Sequence, residues 1–337
     1  VIVLGTAPAA AAPSDQWQLD FLHAAEANAI SEGDGVVVAV IDTGVDGTHP
    51  DLTGTLVSGF DFEAGSGDGS VDLYGHGTGV AGLIVGHGHA SGIAPRAKVM
   101  PLVASTASNV PKAFDWAVDH GASVITISQS VEDSDVLRAA VSRALAAGIV
   151  VVAAAGNVPV DGAVAAPARY GGVIAAGAVS RSGDWASVSV TGPELVLAAP
   201  GDEMVSAAPF GGYIPSKGTS NAAPLIAGVA ALVKAKFPNL KGPDIYQRLI
   251  ATADDKGAPG RDPEYGYGIV NPVKALTADV APATASASPD PGNSTDPASP
   301  PADTSGGLPL GFIVVGAAAL IIIALVVGLV LTTRRSR

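Results

Sequence analysis

Six short, mostly apolar and β-branched runs recur along the chain: Val36–Ile41, Lys98–Val103, Ser123–Ile127, Ile149–Ala154, Val173–Val179 and Leu195–Ala199. They lack the alternation of a half-buried strand, so each predicts a strand buried on both faces. Helical patterns fall between and after them, at His76–Gly86, Val110–His120, Asp133–Ala147, Thr219–Phe237 and Pro243–Ala251. Strands separated by helices need crossover connections, which implies a parallel sheet. The expected class is therefore α/β in three layers, a mainly parallel central sheet with helices on both faces. Ligand crevices in such sheets lie beyond the carboxyl ends of the strands. The residues just after each run are the first candidates for function.

Composition agrees with a large core: 48 % of residues are hydrophobic and only 15 % charged. The net charge of −13, with no basic patch, argues against nucleic acid as a partner. The absence of cysteine excludes disulfides, thiol catalysis and Cys-ligated zinc.

The ends differ from the body. Residues 1–13, VIVLGTAPAAAAP, read as the remnant of a secretory signal peptide, apolar and then small and Ala-rich. Residues 14–277 are the expected folded domain, with Gln16-Trp17-Gln18-Leu19 in a short N-terminal extension that packs on it. Residues 278–309 are rich in Pro, Ala and Ser and read as an extended linker. Residues 310–332 carry no charge, and at about 1.5 Å per residue such a helix spans roughly 30 Å, the thickness of a bilayer core. A transmembrane helix is expected there. Arg334, Arg335 and Arg337 follow in the tail 333–337, which the positive-inside rule puts in the cytoplasm and the folded body outside the cell. Leu308-Pro309-Leu310-Gly311 lacks the Thr of a cell-wall sorting signal, so a retained helix is expected.

Four motifs carry chemistry. Val40-Ile41-Asp42-Thr43-Gly44 puts Asp42 at a strand end, and Gly75-His76-Gly77-Thr78-Gly79 opens a helix. Ala154-Ala155-Gly156-Asn157 follows a buried strand, and Gly218-Thr219-Ser220-Asn221-Ala222-Ala223-Pro224 opens the longest helix, with Pro224 expected in its first turn. A serine hydroxyl is a weak nucleophile until a base takes its proton. His76 can do so near neutral pH, and Asp42 can hold the imidazole tautomer and stabilise the imidazolium. The Asn157 amide and the Ser220 backbone N–H are the natural donors to an oxyanion. Taken singly, Asp42 reads as a turn residue and Ser220 as a helix cap; taken together with His76 and Asn157 they do not. His49 and Asp46 are expected to shape a turn, and His87 and His89 to lie in a solvated loop. Asp68 and Asp72 read as solvent-facing turn residues, with a structural calcium site as the alternative.

The four motifs, in this order, resemble the subtilisin-like serine proteases over roughly Gly35 to Leu276. The resemblance implies the subtilisin-like form of the three-layer fold and a serine endopeptidase acting on proteins or peptides through Asp42, His76 and Ser220, without a cofactor. It also implies that Ser128, Gln129 and Ser130, with Ala154, Ala155 and Gly156, bind the substrate backbone. Ser128-Gln129-Ser130 stands where subtilisins usually carry Ser-Leu-Gly, which questions their usual preference for apolar side chains. Asn221 replaces the common Met after the nucleophile. Too few residues separate Pro13 from the first strand for the folding pro-domain of many secreted relatives. A signal-like start, a linker, one membrane helix and a basic tail further resemble the mycosins, membrane-anchored proteases of type VII secretion systems. That resemblance implies processing of secreted substrates and support of the secretion membrane complex. The alternatives are a general cell-surface protease and a structural scaffold of a membrane complex, the latter at odds with an intact triad.

Overall fold

The computed structural model describes residues 16–281. The signal-like start, all but the first residues of the linker, the 310–332 segment and the tail lie outside them. Among the described residues no helix is long and apolar enough to cross a membrane.

The six predicted strands form, with one short edge strand, a parallel sheet. They are β1 (Val37–Asp42), β2 (Phe60–Asp61, the addition), β3 (Lys98–Val103), β4 (Val124–Ile127), β5 (Val150–Ala154), β6 (Ile174–Val179) and β7 (Leu197–Pro200). Their order is β2-β3-β1-β4-β5-β6-β7, and every pairing is parallel. β4, β5, β6 and β7 are buried at every position, as their continuous apolar runs require. The chain leaves β3 and crosses over β1 to reach β4, so the sheet's direction of winding reverses beside the strand that ends in Asp42. An antiparallel hairpin, β8 (Met204–Ala208) with β9 (Gly212–Ser216), stands apart from this sheet. The sequence hid it because β9 reads Gly-Tyr-Ile-Pro-Ser, with glycine and proline where strand formers are expected.

The helices are α1 (Trp17–Phe21), α2 (Ala24–Asn28), α3 (His76–Val85), α4 (Val110–Asp119), α5 (Asp135–Ala146), α6 (Thr219–Lys236), α7 (Gly242–Ala251) and α8 (Pro272–Thr277). α4 and α5 pack together on one side of the sheet, α3 and α6 on the other. Ser134 caps α5 by accepting the Leu137 N–H at 3.2 Å. α6 is apolar all round and buried on nearly all sides, since the sheet, α3, α7 and α8 enclose it. The N-terminal extension is fixed by side chains: Gln16 brackets the 89–91 loop, giving its Nε2 to the His89 carbonyl and taking the Ser91 N–H. Trp17 is buried, and its indole donates to the Glu203 carbonyl at 3.1 Å.

Candidate active site

The carboxyl ends of β1, β4 and β5 and the first turns of α3 and α6 converge where the sequence pointed. Asp42 is the last residue of β1 and only 2 % exposed. His76 opens α3, and its Nδ1 lies 2.8 Å from Asp42 Oδ1 and 3.0 Å from Oδ2. With a carboxylate facing Nδ1, the proton belongs there and Nε2 is left basic. Gly77 makes this approach possible. A Cβ at Gly77 would lie 2.0 Å from the Gly44 carbonyl oxygen and 3.1 Å from Asp42 Cβ, so only glycine lets the first turn of α3 rest on the end of β1.

Asp72 corrects the sequence reading. It is buried, not solvent-facing, and its carboxylate organises the start of α3. Oδ1 accepts N–H bonds from Tyr74 (3.0 Å) and Gly75 (2.8 Å) and the Thr43 hydroxyl (3.0 Å). Oδ2 accepts the N–H and hydroxyl of Thr78, at 2.9 and 2.6 Å. Gly75, at the N-cap, has no side chain to do this. A carboxylate ringed by donors at a helix N-terminus is a cap and not a cation ligand. Thr43 relays the contact, accepting the Gly77 N–H at 3.0 Å. Asp68 is exposed and holds its own turn through Ser70.

Burial pulls the His76 pKa down, but the Asp42 charge, the Asp42 hydrogen bond and the Asp72 charge outweigh it and raise the pKa above the ordinary 6.5. Since 46 % of the side chain is exposed, solvent screens these attractions.

Asn157, in the loop that leaves β5, is fixed from both ends. Its backbone N–H donates to Asp161 Oδ2 at 2.8 Å, and its Oδ1 accepts the Thr219 N–H at 2.9 Å. That second bond assigns the amide: Oδ1 faces Thr219, so Nδ2 is the end left to donate elsewhere. Gly218 packs the pieces together. A Cβ there would lie 3.1 and 3.2 Å from Asn157 Oδ1 and Nδ2 and 3.3 Å from Ser220 Oγ, in a backbone of φ 138°. The amide and the hydroxyl thus surround one glycine. Ser220 is the second residue of α6. Among the described hydrogen bonds none joins its Oγ to His76, and bonds of this kind commonly tighten only around substrate.

The predicted substrate-binding residues fall into two groups. Ser128 is buried, and its hydroxyl donates to the Ser220 carbonyl at 3.1 Å. Gln129 turns its amide to the Ala104 carbonyl (2.7 Å), and Ser130 is exposed. Ala154 and Ala155 are buried; the Ala155 N–H and carbonyl bond Ala176 and Ala165, and the Gly156 N–H and carbonyl engage the Thr219 hydroxyl. Pro224 is the sixth residue of α6, past the first turn in which it was expected.

His49 and Asp46 shape the turn after β1, as expected. The fully buried His49 accepts the Asp51 N–H on Nδ1 and gives Nε2–H to the Gly212 carbonyl; Asp46 takes the N–H of Thr48 and of Phe210. They thereby tie the β8–β9 hairpin to the site. His87 and His89 lie in an exposed loop. The positioning roles of Asp72, Thr43, Thr219 and Asp161 are not among the sequence expectations. Asp72 alone left a signal, an acidic residue three positions before the glycine that opens a helix.

The chain is similar to well-defined proteins. A model of the subtilase family matches residues 33–268. A thermostable alkaline protease of Halalkalibacterium halodurans is 38 % identical over 270 residues, 77 % of this chain and 73 % of that protein. Two mycosin structures superpose with a TM-score of 0.70. MycP1 with its N-terminal propeptide removed is 32 % identical, over 78 % of this chain and 97 % of that one. The MycP3 protease from the type VII (ESX-3) secretion system is 33 % identical, over 82 % and 91 %.

Proposed function

The chain belongs to the subtilase family of serine endopeptidases, and on that premise we propose that Asp42, His76 and Ser220 are its catalytic triad and Asn157 its oxyanion donor. Ser220 Oγ attacks the scissile carbonyl as His76 Nε2 takes its proton. Asp42 keeps the other ring proton on Nδ1 and stabilises the imidazolium. The oxyanion receives Asn157 Nδ2–H and the Ser220 N–H. Collapse breaks the C–N bond, His76 hands its proton to the leaving amine, and water then hydrolyses the acyl-enzyme with the same imidazole as base. The observation that carries this reading is the 2.8 Å contact between His76 Nδ1 and the buried Asp42 carboxylate. The test is Ser220→Ala. It removes one oxygen and little volume, so melting should be unchanged while peptide hydrolysis falls by several orders of magnitude. Hydrolysis at the wild-type rate would sink the assignment.

We further propose that the enzyme is exported and anchored by residues 310–332, with the catalytic body outside the cell and the Arg tail inside. Its substrates are proteins passing through a type VII secretion system, whose membrane complex it also supports. The uncharged apolar segment, the trailing arginines and the similarity to MycP1 and MycP3 support this reading. The slightly higher identity to a thermostable alkaline protease favours a second one, a general surface protease. Secretion that is unaffected by deletion of the gene would favour the second.

A further inference from the structure

Proline inside a helix leaves a carbonyl without its partner. In α6 the N–H of residue 224 would bond the carbonyl four residues back, which is Ser220, and Pro224 has no N–H to give. The residue whose carbonyl loses its helical donor is thus the candidate nucleophile itself. Another donor reaches it from outside the helix: Ser128 Oγ, 3.1 Å from the Ser220 oxygen. Ser128 follows β4 directly. Ile127 at the end of β4 is in register with Ile41 on one side and Ala153 on the other. The hydroxyl is therefore held by the rigid layer of strands that also ends in Asp42. Ser128 is 5 % exposed, and a hydroxyl has one proton to donate, which is spent on Ser220.

Taking Ser220 as the nucleophile, we propose that Ser128 is a positioning residue, standing in for the helical donor missing at Pro224 and fixing the Ser220 peptide, and with it Oγ, relative to Asp42 and His76. The site is built from strand ends and two helix starts, and this bond ties the sheet to α6 at the candidate nucleophile. A direct contact of the Ser128 side chain with substrate would act on KM. A positioning role acts on kcat and is replaceable by any donor that reaches the same carbonyl.

The test uses the full-length chain as wild type, Ser128→Ala and the double variant Ser128→Ala/Pro224→Ala, with melting curves to establish that each is folded. Loss of one positioning hydrogen bond should lower kcat about tenfold and leave KM within about twofold. In the double variant the Pro224→Ala change restores the helical N–H that proline lacks, so most of the lost kcat should return. An unchanged kcat in Ser128→Ala, a raised KM at constant kcat, or a double variant as slow as the single one overturns the proposal. Labelling of the wild type by a fluorophosphonate separates the two questions. An active wild type that is not labelled at Ser220 refutes the nucleophile assignment, whereas a labelled wild type with unaffected Ser128→Ala refutes only the positioning role.

Discussion

Asn157 illustrates how much of the candidate chemistry depends on one side chain's orientation. Its Oδ1 is tied to the Thr219 N–H, so the donor end is set before any substrate arrives. Preorganised donors act on charge that develops in the transition state and not on the ground-state carbonyl. Asn157→Ala should accordingly lower kcat by about 10²–10³ while KM stays close to wild type. Steady-state kinetics on a peptide substrate decides it, and a normal kcat with a raised KM would mean that Asn157 only binds. At this scale the sequence is informative where the proposed chemistry demands a residue type. Asp42, His76, Asn157 and Ser220 stand in motifs whose glycines exist to permit close packing, as Gly77 and Gly218 show. It was uninformative for Ser128, whose partner is a carbonyl 92 positions away. Nothing local in Ser128-Gln129-Ser130 distinguishes a contact to substrate from a contact to the helix.

Among the elements, α3 shows how a helix start holds the proposed base, His76. Its first turn rests on the end of β1 through Gly77, and its free N–H groups are collected by Asp72, which adds a negative charge near His76. Burial lowers the His76 pKa, and the charges of Asp42 and Asp72 with the Asp42 hydrogen bond raise it further than burial lowers it. The sign has two consequences. A raised histidine pKa stabilises the fold fully below the unfolded value, and that contribution is lost as pH rises through the folded value. A general base works only when neutral, so the acid limb of kcat/KM should have its midpoint above 6.5. Asp72→Asn removes one of the charges that hold the proton, so the limb should move to lower pH. Profiles of kcat/KM against pH for the two proteins check this, and a limb that stays in place or moves upward contradicts the coupling. The strands were legible as short continuous apolar runs without alternation, α4, α5 and α7 by their amphipathic period, and α6 as an apolar stretch too long for a strand. The β8–β9 hairpin and the burial of Asp72 were not. The first is held by its own pairing, by packing of β8 on α3 and by bonds to Asp46, His49 and Asp51, the second by donors from Thr43 and from residues 74–78.

For the whole molecule, the fold closes before the linker begins. Ala275 and Leu276 of α8 are buried in the core, and the Arg248 guanidinium donates to the carbonyls of Ala275 and Ala278. Those bonds take up two of the carbonyls at the end of α8. A chain truncated after Ala278 should therefore fold, stay soluble and hydrolyse small peptides as the full chain does, because every candidate site residue lies within residues 42–220. In cells the same truncation should impair cleavage of secreted substrates, since the proposed anchor supplies local concentration. An aggregated or inactive truncated chain would place the domain boundary elsewhere. A body that external protease cannot reach in intact cells would overturn the proposed topology. Hydrolysis by the proposed triad requires the Ser220 hydroxyl to be the nucleophile, and covalent trapping reads that directly. After reaction of the full-length enzyme with a fluorophosphonate to complete loss of activity, mass mapping should find a single phosphonyl adduct, on Ser220, and none on Ser220→Ala. Complete inactivation with the adduct on another residue, or full activity with Ser220 unmodified under saturating reagent, would contradict it.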